Sequence, residues 1–169
     1  MQRNKILFLL AFIGIFTSCS WVKTDIDDCP TGVWLKIRYT CNMLDVDAAA
    51  QQVRDASIMV FDHEGNYVRR IEIDYGQLYR NNYCVEVSEL PNGIYDFVVW
   101  SGLGDSHFMT TSPLRIDDLR LSLAAADKVQ DAEYGDLFYG RIDSVEVTGR
   151  YAVHEVDLTK DTNVLVCQV

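Results

Sequence analysis

Short segments in which apolar and polar residues alternate recur along the chain from Thr31 onward. In the first of them, residues 31–42, one predicted face consists of Val33, Leu35, Ile37, Tyr39 and Cys41. A period of two is typical of a strand that buries one face. The segment therefore predicts a half-buried strand, whose other face is polar except for Trp34.

Further strand-like segments follow at roughly even spacing. They cover residues 56–62, 67–74, 83–87, 94–101, 137–148, 152–158 and 162–169. Residues 63–66 predict a hairpin turn with Gly65 and Asn66 at positive φ, and residues 90–93 predict a second turn. Segment 94–101 is dense in β-branched and aromatic residues, so it is expected at the centre of a sheet. Residues 114–123 are ambiguous between strand and helix, and a loop or bulge is expected near Gly140.

Seven to nine short strands without a convincing βαβ repeat predict an all-β fold. The expected architecture is an antiparallel β-sandwich with Greek-key connections over residues 31–169. The chain has 169 residues and a mass of 19.3 kDa, which is about one domain. A domain of about 150 residues buries a sizeable core without needing disulfides.

The N-terminus reads as an export signal. Arg3 and Lys5 precede an unbroken apolar run over residues 6–16. A membrane-spanning helix needs roughly 20 apolar residues, whereas the apolar region of a signal peptide has about 7 to 15. Residues 1–18 are therefore predicted to be a signal peptide.

Small residues before Cys19 point to lipid attachment at the end of this signal. The segment from Phe16 to Cys19 resembles the lipobox of bacterial lipoproteins, although Phe16 stands where Leu is preferred. The resemblance implies that Cys19 becomes the acylated N-terminal residue and that residues 19–30 form a lipidated tether. The alternative is an ordinary signal peptide with an incidental cysteine. No Asp follows Cys19 directly, and acidic residues in the tether resemble a surface-export signal. We therefore expect a lipid-anchored protein of the outer membrane, exposed on the cell surface.

Four further cysteines, Cys29, Cys41, Cys84 and Cys167, allow three disulfide pairings in an oxidising compartment. Their sequence leaves one disulfide and fully free thiols equally open. Their spacing does not match a metal site, so no metal and no cofactor are expected.

The sequence contains no recognisable set of catalytic residues. Gly104, Asp105 and Ser106 resemble the nucleophile block of GDS-type esterases, but no Asp lies three residues before His154. No enzyme activity is expected. The formal net charge of −10 argues against a nucleic-acid partner, because phosphate binding needs a basic surface.

The order of several blocks resembles the FimB-type fimbrial anchor family, the lipoprotein subunits of type V fimbriae. The blocks that carry the resemblance are residues 28–30, 33–37, 56–62 with Gly65, 90–95, 98–103, 137–140 and 158–163. The resemblance implies a transthyretin-like β-sandwich at the base of a fimbria. There the subunit would hold the shaft to the cell and influence its length. Its partners would be fimbrial shaft subunits, joined by the addition of a β-strand to an open sheet, and the membrane.

The resemblance covers only the first of the two domains usual in that family. The second domain is apparently absent, so a truncated product, a fragment and a one-domain relative all remain open. The alternative function is that of a surface lipoprotein that binds glycans through Trp34, Tyr75 and Tyr79. An exposed coplanar aromatic pair would favour glycan binding, whereas an unpaired sheet edge would favour assembly.

Overall fold

The structure, a computed structural model, describes residues 31–104, 108–111, 113–123 and 135–162. These residues contain ten strands, two short helices and one 3₁₀ turn. In chain order they are β1 (Gly32–Arg38), α1 (Ala49–Gln52), β2 (Ala56–Asp62), β3 (Tyr67–Ile73), α2 (Tyr75–Arg80), β4 (Cys84–Ser88), β5 (Gly93–Ser101), β6 (Phe108–Thr110), the 3₁₀ turn (Ile116–Asp118), β7 (Leu121–Leu123), β8 (Phe138–Val147), β9 (Val153–Asp157) and β10 (Thr159–Lys160).

Two sheets pack face to face, so the predicted all-β sandwich is confirmed. The small sheet has the order β4-β1-β9 and the large sheet the order β10-β8-β5-β2-β3. β5 lies at the centre of the large sheet, as its composition predicts. One pairing departs from the antiparallel prediction, because β1 and β9 run parallel. The Greek-key connections stay a prediction.

The core between the sheets follows the alternation read from the first strand. Val33, Leu35 and Ile37 of β1 are at most 1% exposed and pack against the inner face of the large sheet. Tyr39 is also buried, but Cys41 is exposed, so the prediction for that residue is wrong. The strand ends at Arg38, and the period of two does not extend into the loop that follows.

The outer face of the large sheet carries a second apolar layer. Its buried residues are Met59, Phe61, Val98, Trp100 and Leu137. They are covered by β6, the 3₁₀ turn and β7, which we call the outer cover. The ambiguous residues 114–123 thus form a 3₁₀ turn and a short strand that lies over the large sheet.

The predicted turn at residues 63–66 is confirmed, but only one of the two residues expected at positive φ has that conformation. Gly65 has a φ of 78°, as expected, but Asn66 is not at positive φ. Asn66 stabilises the turn with its side chain, whose Nδ2 donates to the Asp62 carboxylate at 3.0 Å.

The bulge expected near Gly140 lies further along β8. Gly140 pairs in register with Val99, and the irregularity falls opposite Asp96, where Ser144 has a φ of 57°. Gly140 instead allows β8 to approach residues 157 and 158 closely. A Cβ at this position would lie 2.8 Å from the Leu158 side chain and 2.9 Å from the Asp157 carbonyl oxygen.

Several predictions concern residues outside the described ranges. These are the signal peptide over residues 1–18, the tether with Cys19 and Cys29, the esterase-like Ser106, and Cys167 with residues 163–169 of the terminal strand. Cys41 and Cys84 are described, and both are free thiols. None of the helices within the described ranges has the length and apolar character needed to cross a membrane.

Candidate functional site

Part of the outer edge of β8 is open in the described part of the chain. β10 covers only Phe138 and Tyr139 of this ten-residue strand. Residues 141–147 have no strand partner on that side among the described residues. We call this stretch the β8 edge.

The β8 edge is bare because the chain changes sheets beside it. Leu158 donates its N–H to the Arg38 carbonyl in the small sheet at 2.7 Å, whereas Asp161 donates to the Leu137 carbonyl in the large sheet at 2.8 Å. Before this crossover, β9 belongs to the small sheet and cannot extend along β8. After it, β10 runs antiparallel to β8 and leads away from residues 141–147.

The register identifies one backbone group that points out of the β8 edge. The Leu137 carbonyl faces β10, and alternate residues of a strand direct their backbone groups to the same side. The Arg141 N–H therefore points outward, beyond the end of β10. Outward N–H and C=O groups are what an incoming strand binds when it extends a sheet.

Charged side chains hold the β8 edge in shape. Ser144 donates its backbone N–H to Asp96 Oδ1 at 2.8 Å, which fixes the bulge. The Arg141 guanidinium forms ion pairs with Asp143 and, at 3.5 Å, with Asp96. The hydrogen bond with Asp143 raises the pKa of Arg141, so its positive charge is secure.

The opposite edge of the large sheet, at β3, is contacted at its start by residues 114 and 115. A bulge interrupts its pairing with β2, and Tyr67 at its start donates its N–H to the Leu114 carbonyl at 2.9 Å. Arg69 reaches across to the Ser88 carbonyl of the small sheet, and Arg70 pairs with Glu72. The bulge and the charged side chains are features that both edges share, and what distinguishes β3 is the contact with Leu114 at its start.

A second surface feature lies on α2, where Tyr75 and Tyr79 form an aromatic pair. Their ring centroids are 5.9 Å apart, with an angle of 34° between the ring planes. Tyr75 is 39% exposed and Tyr79 is 65% exposed. Asp74 and Gln77 form a capping box that fixes the start of the helix. Trp34, the third aromatic residue predicted for glycan binding, does not join this pair. Its ring packs against Tyr151 instead, with the two ring centroids 6.2 Å apart.

Polar groups lie beside this aromatic pair. The Arg54 guanidinium stands 4.8 Å from the centroid of the Tyr75 ring. Arg54 also lines an open cavity of about 400 Å³ together with Gln51, Gln52, Asp55 and Asp136. We call Tyr75, Tyr79 and Arg54 the aromatic platform. An apolar face next to amide, carboxylate and guanidinium groups suits a polyhydroxylated ligand.

The histidines do not assemble a catalytic or metal site in the described ranges. His63 lies in the β2–β3 turn, next to Glu64, and His154 lies in β9. No group of three or more His, Cys, Asp or Glu side chains that could hold a metal ion occurs among the described residues.

The β8 edge is a site that the sequence alone does not reveal. The alternation in residues 137–148 identifies a strand but not its neighbours. The aromatic platform leaves a readable signal, because tyrosines four residues apart share one face of a helix.

Comparison with known proteins gives a match over most of the chain. A family described as fimbrillin-A associated anchor proteins Mfa1 and Mfa2 matches residues 26–169. The major fimbrium anchoring subunit FimB of Porphyromonas gingivalis is 28% identical over 137 residues, which cover 79% of this chain and 43% of that protein. The chain thus spans less than half the length of the curated relative it matches.

Solved structures share the fold. A candidate adhesin from Bacteroides thetaiotaomicron superposes with a TM-score of 0.69 and 26% identity, over 78% of this chain and 46% of the other. A candidate polysaccharide-binding protein from the same species gives a TM-score of 0.64 and 28% identity, over 76% and 47%. The fimbrial anchor protein Mfa2 from P. gingivalis gives 0.62 at 16% identity, over 78% and 51%, which shows the fold alone.

Proposed function

This chain belongs to the family of fimbrillin-A associated anchor proteins, and we propose that it holds a fimbrial shaft at the cell surface. The match over residues 26–169 is the observation that carries the proposal, and it confirms the family resemblance seen in the sequence. The role is structural and includes no catalytic step.

The membrane end of the anchor is the predicted lipid on Cys19 of the outer-membrane protein. One acyl chain binds a bilayer only reversibly, at about 0.8 kcal/mol per buried CH₂, whereas two or more hold a protein stably. Attachment by lipid is compatible with the acidic net charge of −10, which would not bind anionic head groups.

The shaft end of the anchor is the β8 edge. A strand from a shaft subunit would pair with residues 141–147, where β10 leaves the sheet open. Main-chain hydrogen bonds would supply affinity in this mode, and the side chains on either side of the edge would supply specificity.

The anchoring role is tested by deleting the gene and restoring it as wild type or as Cys19→Ala. We expect deletion to release fimbriae into the medium, and Cys19→Ala to release the protein itself from membranes. Fimbriae that stay attached without the protein would contradict the anchoring role. Membrane retention of the Cys19→Ala variant would contradict only the lipid attachment.

Strand addition is tested by Arg141→Pro, with Arg141→Ala as the matched control. Proline removes the outward N–H of Arg141, while alanine removes the same side chain and keeps that N–H. We expect Arg141→Pro to release fimbriae at least tenfold more than Arg141→Ala, with equal amounts of folded protein in the membrane. Equal retention by the two variants would place the shaft contact elsewhere.

The aromatic platform supports a second candidate function, glycan binding. Tyrosine rings stack on the apolar faces of sugars, and the neighbouring polar groups of Gln51, Gln52 and Asp55 can bind hydroxyl groups. One structural relative is described as a candidate polysaccharide-binding protein. The angle of 34° between the rings departs from the coplanar pair that would favour this function most strongly.

Calorimetric titration with neutral oligosaccharides of two to six sugars tests this candidate. Tyr79→Ala should abolish any heat of binding. Tyr67→Ala should leave it unchanged, because Tyr67 is 38% exposed but lies in β3, away from α2. Absence of binding to the whole panel by the wild-type protein would remove the candidate.

A further inference from the structure

A rigid loop after β1 presents apolar side chains to solvent. Met43, Leu44 and Val46 are 103%, 65% and 57% exposed. We call residues 42–47 the apolar loop. Contiguous apolar side chains at a protein surface mark an interaction site more often than isolated ones do.

Two polar side chains hold the apolar loop in one conformation. Asn42 donates through Nδ2 to the Tyr39 and Val46 carbonyls, both at 2.7 Å, and accepts from the Leu44 N–H at 2.8 Å. Asp47 accepts from the backbone N–H groups of Tyr39 and Ala49, both at 3.0 Å. A loop that is fixed before binding loses little conformational entropy when a partner covers it.

A groove runs along one side of the apolar loop. A cavity of about 400 Å³ is lined by Tyr39, Asn42 and Met43 on one side and by Thr159 and Lys160 of β10 on the other. A partner side chain can enter this cavity while its neighbours cover Leu44 and Val46.

The position of the apolar loop fits contact with a shaft. The predicted lipid tether reaches β1 at Gly32, and the apolar loop follows the other end of this seven-residue strand. A seven-residue strand spans roughly 20 Å. The apolar loop therefore lies at the opposite end of β1 from the residue that the predicted tether reaches.

We propose that the apolar loop is a docking surface for the fimbrial shaft subunit. The shaft subunit would meet it with an apolar patch that is ringed by basic side chains. This inference rests on the proposed function. Asp45 and Asp47 carry negative charges within the loop, and the chain as a whole has a net charge of −10. Lys160 across the groove is paired with Asp136 at 2.7 Å, so it does not offset them. The same acidic charges disfavour insertion of the loop into anionic lipid.

Photo-crosslinking in the native host tests the docking surface. A photoreactive amino acid replaces Leu44 in the full-length protein, and in a separate strain it replaces Val153. Val153 serves as the matched control, because it is an apolar residue of β9 that is 64% exposed. We expect the Leu44 probe to yield an adduct with the shaft subunit, identified by mass spectrometry, at several times the yield from Val153. An equal yield from the two positions, or an adduct with another protein alone, would overturn the inference.

Substitutions provide the second measurement. Met43→Ser with Leu44→Ser should increase the amount of fimbriae shed into the medium at least fivefold, at unchanged levels of membrane-bound anchor. Leu114→Ser, at an apolar residue that is 82% exposed elsewhere, should have no effect.

The outcomes separate this inference from the anchoring role. If the double variant sheds no more fimbriae than wild type while deletion of the gene releases them, the docking surface is wrong and the anchoring role stands. If deletion releases none, both are wrong.

Discussion

The two faces of the large sheet are buried in different ways. The inner face packs against a second sheet, and Ile58, Val60 and Phe97 on it are completely buried. Among the described residues, the outer face is covered by two three-residue strands and a 3₁₀ turn, which leave a cavity of about 340 Å³ beside Trp100 and Tyr139. Residues on the two faces can therefore be equally buried although the layers that cover them differ in extent.

This difference shows what a continuous apolar run in a strand signifies. The first six residues of β2 are all buried, in contrast to the alternating burial of β1. A strand covered on both faces loses its period of two. The run in β2 therefore predicts a second covering layer, even where the cover has no strong pattern of its own.

The largest expected effect comes from removing a phenylalanine from each face. Phe97 lies on the inner face and Phe61 on the outer face, and both are 0% exposed. We expect Phe97→Ala to lower the free energy of unfolding by about 3–5 kcal/mol, and Phe61→Ala to cost about 1 kcal/mol less. The short elements of the outer cover can move into the space left by Phe61, whereas two paired sheets cannot. Urea unfolding of both variants measures the difference, and a larger loss for Phe61→Ala would reverse the comparison.

A smaller effect is expected at Asp55, which holds the chain as it leaves β5 toward the outer cover. Its carboxylate accepts hydrogen bonds from Ser101 Oγ at 3.1 Å, Gly102 N at 2.5 Å and Gly104 N at 3.0 Å. Hydrogen bonds to a charged group contribute about 1.5–3 kcal/mol each at most, and Asp55→Ala should cost about 2 kcal/mol in total.

Hydrogen exchange shows where the loss at Asp55 falls. Amides of β6 should exchange faster in Asp55→Ala, while those of β2 keep their protection. Glu146→Gln, a change at an exposed carboxylate of β8, should alter stability by less than about 0.5 kcal/mol. Uniform loss of protection across both faces would mean that the outer cover and the sandwich unfold as one unit.

The smallest effect concerns Asp161, which lines the cavity under the outer cover. Burial raises the pKa of its carboxyl, because it disfavours the charged form. The folded protein thus binds this proton more tightly than the unfolded chain does. The contribution of Asp161 to stability therefore improves as the pH falls through its folded pKa and is constant below the unfolded value. Asp161→Asn should stabilise the protein at pH 7 by less than about 0.5 kcal/mol.

Asp62 provides a control, because its pKa is shifted in the opposite direction to that of Asp161. The hydrogen bond from the Asn66 side chain lowers the pKa of Asp62. Its stabilisation is complete above the unfolded pKa and disappears as the pH falls through the folded value. Asp62→Asn should therefore destabilise the protein at pH 7 and lose this effect in strong acid. Thermal unfolding between pH 2 and pH 7 distinguishes the two variants, and parallel pH profiles would contradict both assignments.

Local patterns in the sequence predict strands better than they predict neighbours. The alternation of Val33, Leu35 and Ile37 identifies a buried face because the period of two is a local property. The parallel pairing of Trp34 with Val153 joins residues more than a hundred positions apart, and no local pattern specifies it. For the same reason, the openness of the β8 edge is visible only once the partners of β8 and β10 are known.

The candidate surfaces divide along the same line. Tyr75 and Tyr79 are four residues apart on a helix, so their proximity can be predicted, whereas Trp34 joins a different surface because β1 lies in the small sheet. The apolar loop escapes prediction because Met43 and Leu44 follow the end of the predicted strand at residue 42, where no periodic pattern shows whether they are buried or exposed. Only the side-chain bonds of Asn42 show that the chain has turned outward.

The position of β1 between β4 and β9 has a mechanical consequence. Both neighbours pair with this strand, β4 along residues 32–36 and β9 along residues 34–38. A load that entered at Gly32 through the proposed tether and left through the proposed shaft contact on β8 would pull β1 lengthwise against both neighbours. The two rows of hydrogen bonds then bear the force together in shear, instead of opening one bond at a time. Because the rate of unfolding governs resistance to force, an anchor of ordinary thermodynamic stability can hold a filament that is under tension.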